Sequence, residues 1–206
     1  FKHVLLAEKN AIENIKLKKA NLQNHHEALN KLTKLLKLKK LPNRIEVYDN
    51  SHTFGKESVG VMIVVDQEGL SPKNYRKYNI RYNQKNLKIS KIDDYYMMSE
   101  VLNRRLKINK TIEYILPNII IIDGGRGQFN TVKKIIHDKN LKEISLLSIS
   151  KGKNRNAGRE VIHLNDKNIN LHPNDPLLFF IQRIRDEAHR FAITAHRSRR
   201  NKKSFE

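Results

Sequence analysis

Apolar positions change period along this chain. Over residues 1 to 41, Leu29, Leu32 and Leu36 recur at three- and four-residue spacing among Lys and Asn. That predicts a helix, closed by Leu41-Pro42-Asn43 because proline cannot continue a helix and pushes its predecessor out of the α region. From Arg44 the pattern becomes strand-like. Arg44-Ile-Glu-Val-Tyr-Asp49 and Ser58-Val-Gly-Val-Met-Ile-Val-Val-Asp66 are short β-branched runs, and Tyr75 to Tyr82 alternates, so three strands joined by short turns form an antiparallel meander. Asp93 then caps a helix through Leu106. A strand at 119–123, a helix at 127–138 and a strand at 144–149 follow in the order of a parallel crossover. After the basic loop 151–158 come a further strand at 160–164 and a final helix from Asp175 to Arg199. Its stripe of Leu177, Ile181, Ile184, Ala188, Phe191, Ala192 and Ala195 must face the core.

Three meandering strands, a helix and then alternating strand and helix resemble the element order of the RNase H-like fold. The expected class is therefore α/β: a mixed central sheet flanked by helices over residues 42–200, preceded by a helical arm over 1–41 and followed by a basic tail over 201–206. In that order the first and fourth strands are neighbours, about 4.8 Å apart. Asp49 closes the first and Asp123 closes Ile119-Ile-Ile-Ile-Asp123, so two carboxylates meet at one edge of the sheet. A single Asp at a strand end often only begins a turn. A pair suits Mg²⁺ or Mn²⁺, which takes oxygen ligands, bridges one or two carboxylates to a substrate phosphate and activates water.

Other candidates carry two readings each. His189 falls on the flank of the final helix's stripe with Gln182, Arg185 and His196, where an imidazole suits proton transfer or metal ligation and equally a satisfied surface position. His52 is a phosphate contact or an organiser of the turn after the first strand. Asp94 is a third, supporting acid or a helix cap. Gly124-Gly125-Arg126-Gly127 reads as a tight turn needing positive φ rather than an anion cradle. It lacks the Gly-Lys-Ser/Thr of a P-loop, so no nucleotide cofactor is expected.

Charge narrows the partner. With 41 Lys plus Arg against 21 Asp plus Glu the net charge is +20, which predicts a polyanion, most commonly nucleic acid. Lys151, Lys153, Arg155 and Arg159, with Arg183, Arg185, Arg190, Arg197, Arg199 and Arg200 on the last helix, are the densest basic clusters and would contact phosphates without reading bases. Tyr75, Tyr78 and Tyr82 alternate as packing residues would. The absence of cysteine removes disulfides and thiolate chemistry. No apolar run approaches the roughly 18 residues of a membrane span and no signal peptide is recognisable, so a soluble, cytoplasmic protein without a membrane partner is expected. The opening at Phe1 and the basic close read as a piece of a longer polypeptide.

Several ordered motifs resemble one family. Asp49-Asn-Ser-His-Thr, Tyr75-Arg-Lys-Tyr-Asn-Ile, Asp93-Asp-Tyr, Ile122-Asp-Gly-Gly-Arg-Gly-Gln128, Ser150-Lys-Gly152 and Arg183-Ile-Arg-Asp-Glu-Ala-His-Arg-Phe-Ala192 resemble the C-terminal half of UvrC, the nuclease of bacterial nucleotide excision repair. The resemblance spans about residues 44 to 200. It implies an RNase H-like endonuclease domain that cuts damaged double-stranded DNA on the 5′ side of a lesion with Mg²⁺ or Mn²⁺, in a protein that works with a UvrB-type helicase. By position it makes Asp49 and Asp123 the catalytic, metal-holding aspartates, His189 the third member and Asp94 a supporting acid. Asn50 departs from the family, which has an apolar residue there, and could loosen packing behind Asp49; Arg126 stands where Lys is common. The N-terminal nuclease module, the UvrB-binding segment and the helix-hairpin-helix pair are not in the sequence. Two other readings stay open: a non-catalytic basic DNA-binding scaffold, and an RNA-directed nuclease of the same fold.

Overall fold

The structure, a computed structural model, describes residues 2–52, 58–80, 94–107, 115–150, 160–165 and 167–203, with the side chains of all but 2, 51, 52 and 196–203. Its helices are α1 (Lys2–Leu35), α2 (Asp94–Arg105), α3 (Arg126–Asp138) and α4 (Pro176–Lys203). Its strands are β1 (Ile45–His52), β2 (Ser58–Asp66), β3 (Gly69–Leu70), β4 (Arg76–Asn79), β5 (Ile119–Asp123), β6 (Ser145–Ser150), β7 (Val161–Leu164) and β8 (Lys167–Asn170). All eight join one mixed sheet in the order β3-β2-β1-β5-β6-β7-β8, with β4 also on β2. β1, β5 and β6 run parallel at its centre, and the other pairings are antiparallel.

The central strands are apolar on both sides because helices cover both faces, which removes the alternation expected of a half-exposed strand. Ile45, Val47, Ile119, Ile121, Leu147, Ile149 and Ile162 pack with the end of α1 and with Leu177, Phe180, Ile181, Ile184 and Ala188 of α4. On the opposite face Tyr48, Met62, Val64, Ile120 and Ile122 pack with Met97, Met98, Val101 and Leu102 of α2 and Val132, Ile135 and Ile136 of α3. The meander is as expected, with its third strand at β4 within the anticipated 75–82, of which 81 and 82 lie outside the described residues; a two-residue strand, β3, stands ahead of it where only a turn was expected, followed by a short 3-10 turn at Pro72–Asn74.

Two boundaries and one element differ from expectation, and the first is that β1 continues past Asp49 to His52. α1 ends at Leu35, well before Pro42. Lys37 takes a left-handed φ of 53°, and the amide of Leu38 donates to the Thr33 carbonyl at 2.9 Å, the closure that ends many helices and that is usually built on glycine. β8 was not foreseen; it follows Asn165, whose positive φ of 46° turns the chain back onto β7. The last turns of α1 are core: Ala28, Leu29 and Leu32 are buried, while the first two thirds stand exposed.

Candidate active site

The site follows from strand parity. Ile45, Val47 and Asp49 share one face of β1; Ile119, Ile121 and Asp123 share the same face of β5. The two strands are parallel with Tyr48 beside Ile122, so one residue further on both present an aspartate at the same edge, under α4. Asp49 is buried and Asp123 partly so. Above them α4 crosses β1 and β2 on Ala188, Ala192 and Ala195, the latter two against Val59 and Val61; these small side chains allow close approach of helix and sheet. That approach brings Nδ1–H of His189 to donate to Oδ2 of Asp49 at 3.4 Å, a long hydrogen bond between a side chain 64% exposed and one 10% exposed. Three side chains separated by up to 140 residues thus gather at one rim.

Asp94 opens α2 and is exposed; its carbonyl receives the Asn50 amide at 3.4 Å. Asn50 therefore reaches from β1 toward α2, on the face away from Asp49. His52 ends β1, but its side chain lies outside the described residues, as do residues 151–159 with Lys151, Lys153 and Arg155. Arg183 is exposed on α4; Arg197, Arg199 and Arg200 continue the helix with side chains outside the description.

The glycines after Asp123 need a correction. Gly69 has positive φ, whereas Gly125 caps α3 in an extended conformation with φ −83°. Gly124 and Gly127 instead serve close approach: a Cβ on Gly124 would meet the Gln128 side chain, and one on Gly127 would lie 2.3 Å from the Tyr95 hydroxyl, whereas one on Gly125 would meet nothing within 4 Å. The turn thus seats α2 and α3 beside the end of β5.

Two charged clusters beside the site were missed in the sequence. Glu160, 3% exposed, stands just before β7 and accepts from Gln182 Nε2 at 3.0 Å and Arg185 Nη1 at 2.7 Å. Burial acts to raise its pKa, but the hydrogen bonds from Gln182, its own backbone and Arg185 outweigh that, leaving it lowered; Arg185 is correspondingly raised against the effect of its own burial. Behind β1, fully buried Glu46 accepts from Arg44 Nε at 2.7 Å, Arg105 Nη2 at 2.6 Å and the Tyr48 hydroxyl at 2.6 Å. Burial, then the nearby Glu46 charge, pushes the Tyr48 pKa well up, so this hydroxyl remains a donor. An acid within a β-branched run, Glu46 between Ile45 and Val47, was the available signal.

Among the described residues no three His, Asp or Glu side chains close around a single point as a protein-only metal cage. The donor set nevertheless fits Mg²⁺ or Mn²⁺: hard carboxylate oxygens at a sheet edge suit an ion that keeps several waters and completes its shell with substrate phosphate.

The UvrC RNase H endonuclease domain model matches residues 33–193. The UvrABC system protein C of Zymomonas mobilis is 44% identical over 204 residues, covering 95% of this chain and 30% of that protein. The UvrABC system protein C of Bradyrhizobium diazoefficiens is 44% identical over 205 residues, covering 94% and 29%. The chain thus spans under a third of the length of these curated relatives. Among solved structures, Ciona intestinalis endonuclease V in complex with DNA aligns at a TM-score of 0.40 with 11% identity, covering 68% of this chain and 59% of that one.

Proposed function

The chain belongs to the UvrC RNase H endonuclease domain family, and from that premise we propose that it hydrolyses a phosphodiester of damaged double-stranded DNA on the 5′ side of a lesion, as one part of a longer excision-repair protein acting with a UvrB-type helicase. The observation that carries the reading is the convergence of Asp49 and Asp123 on adjacent parallel strands, with His189 of α4 at 3.4 Å from Asp49.

Asp49 and Asp123 would hold a divalent cation, which when bound supplies an activated water and neutralises charge on the phosphate. Their seat on central strands fixes them by backbone rather than by loop, which is what positioning chemistry requires. His189 has its Nδ1–H engaged by Asp49, which sets the tautomer and leaves Nε2 to carry a proton to or from the departing oxygen, or to reach the ion. Exposed Arg183, the arginines further along α4 and the basic loop 151–158 would hold the phosphate backbone. Among the described residues no helix is long and apolar enough to cross a membrane.

The test uses the full-length protein with its repair partners on lesion-containing duplex. Asp49→Asn and Asp123→Asn should each lower 5′ incision by about a thousandfold or more, since each removes a ligand worth several kcal/mol of transition-state stabilisation. DNA affinity should hold, and chelation should stop the wild-type cut until Mg²⁺ or Mn²⁺ is restored. Metal-dependent incision surviving in both variants refutes the assignment; incision of RNA–DNA hybrids in preference to damaged duplex would redirect it to RNA.

A further inference from the structure

Helix α4 lies over the catalytic edge on alanines. Ala188, Ala192 and Ala195 let it approach β1 and β2, but small side chains interdigitate poorly and resist sliding along the helix axis weakly. The His189–Asp49 contact, at 3.4 Å, already sits at the outer limit of a hydrogen bond, so an axial slip of about 1 Å would break it. Leu177, Phe180, Ile181 and Ile184 seat the first half of the helix in the core, and over the alanines that follow a directional polar contact sharpens the register. Four residues before His189, on the same flank, Arg185 donates to Glu160 at 2.7 Å, and Gln182 donates to the other oxygen of that carboxylate at 3.0 Å. Glu160 is 3% exposed and enters β7, whose neighbour β6 is hydrogen-bonded to β5, the strand that ends in Asp123. A buried ion pair is weak evidence for stability, because desolvation consumes most of the attraction; its directional bonds instead specify geometry.

We propose that Glu160 and Arg185, with Gln182, are positioning residues that hold α4 in the axial register that delivers His189 to the Asp49–Asp123 edge. The inference rests on the nuclease reading of that edge. Neither side chain touches the reacting atoms; Glu160 ties the helix to the strand beyond β6, and His189 inherits the placement one turn later.

The experiment uses full-length protein and compares wild type, Glu160→Gln, Arg185→Lys and the apolar pair Glu160→Leu/Arg185→Met. Incision kcat and KM, Mn²⁺ affinity by paramagnetic resonance and thermal unfolding are all followed. Each single variant should lose about ten- to a hundredfold in kcat and in Mn²⁺ affinity with KM for DNA unchanged, the effect of removing a group that orients a ligand. The apolar pair should recover the melting temperature, since well-packed hydrophobes replace a buried pair without loss, yet keep the low kcat. Recovery of kcat together with stability in the double variant, or singles with wild-type kcat and Mn²⁺ affinity, overturns the positioning role while leaving the nuclease reading intact. Wild-type protein that neither incises nor binds Mn²⁺ overturns the nuclease reading and the positioning role with it.

Discussion

At the scale of single residues, the strand that carries Asp49 is held from behind as firmly as from the front. Glu46 is fully buried, and its carboxylate gathers Arg44, Arg105 and the Tyr48 hydroxyl, tying β1 to the end of α2. Removing it by Glu46→Ala would leave the buried Tyr48 hydroxyl without its acceptor and take from Arg105 its buried counter-charge, leaving that guanidinium its bond to the Ile115 carbonyl at 2.8 Å. The expected cost is about 3–5 kcal/mol, measured as a fall in the denaturant midpoint; a change under about 1 kcal/mol would mean that water takes the place of the carboxylate. Gly60, opposite Asn50 on β2, faces the same helix: a Cβ there would lie 2.4 Å from Cγ2 of buried Val101. Gly60→Ala should therefore push α2 off the sheet and cost about 1–3 kcal/mol, with unfolding cooperative but shifted; unaltered stability would show that α2 yields freely.

At the scale of elements, what the sequence revealed was local. β-branched runs closed by an acid announced β1 and β5, and a three- and four-residue stripe announced α4, because those signals lie within one element. The Glu160–Arg185 pair was not legible: it depends on β7 lying beside β6 and on which flank of α4 turns that way, neither of which is written in either segment. The end of α1 was misjudged because a lysine, not a glycine, adopts the left-handed cap. α1 also carries a pH-sensitive tether. His25, buried against Phe180, donates Nε2–H to the Asp66 carbonyl at 2.8 Å, and burial lowers its pKa below 6.5 despite that bond. The unfolded chain therefore takes up the proton first. The stability His25 contributes is complete above pH 6.5 and is lost as pH falls from there through the depressed folded value. Amide protection at the end of α1 and in the β2–β3 turn, corrected for the intrinsic exchange rate, should fall as pH drops below 6.5, and His25→Gln, which keeps a donor without a titration, should remove that fall. An equal loss of protection in the variant would assign the effect to another group.

At the scale of the whole molecule, the balance of charge and the placement of acids divide the work between binding and cutting. A net charge of +20 favours DNA through counterion release, a term that is independent of sequence and falls steeply with salt. Asp49 is buried and Asp123 partly so, so they contribute little to that long-range attraction; in the proposed reaction they would carry the chemistry instead. The two functions should therefore separate in one salt titration. Arg183→Ala on the exposed side of α4 should weaken affinity for damaged and undamaged duplex alike and reduce the slope of log K against log salt by about 0.9, the release expected for one phosphate contact. Asp123→Asn should leave that slope in place while abolishing incision. If Arg183→Ala leaves the slope unchanged, DNA lies on another face, and the phosphate path would have to be sought along the basic residues Lys151, Lys153 and Arg155 rather than along the helix that carries His189.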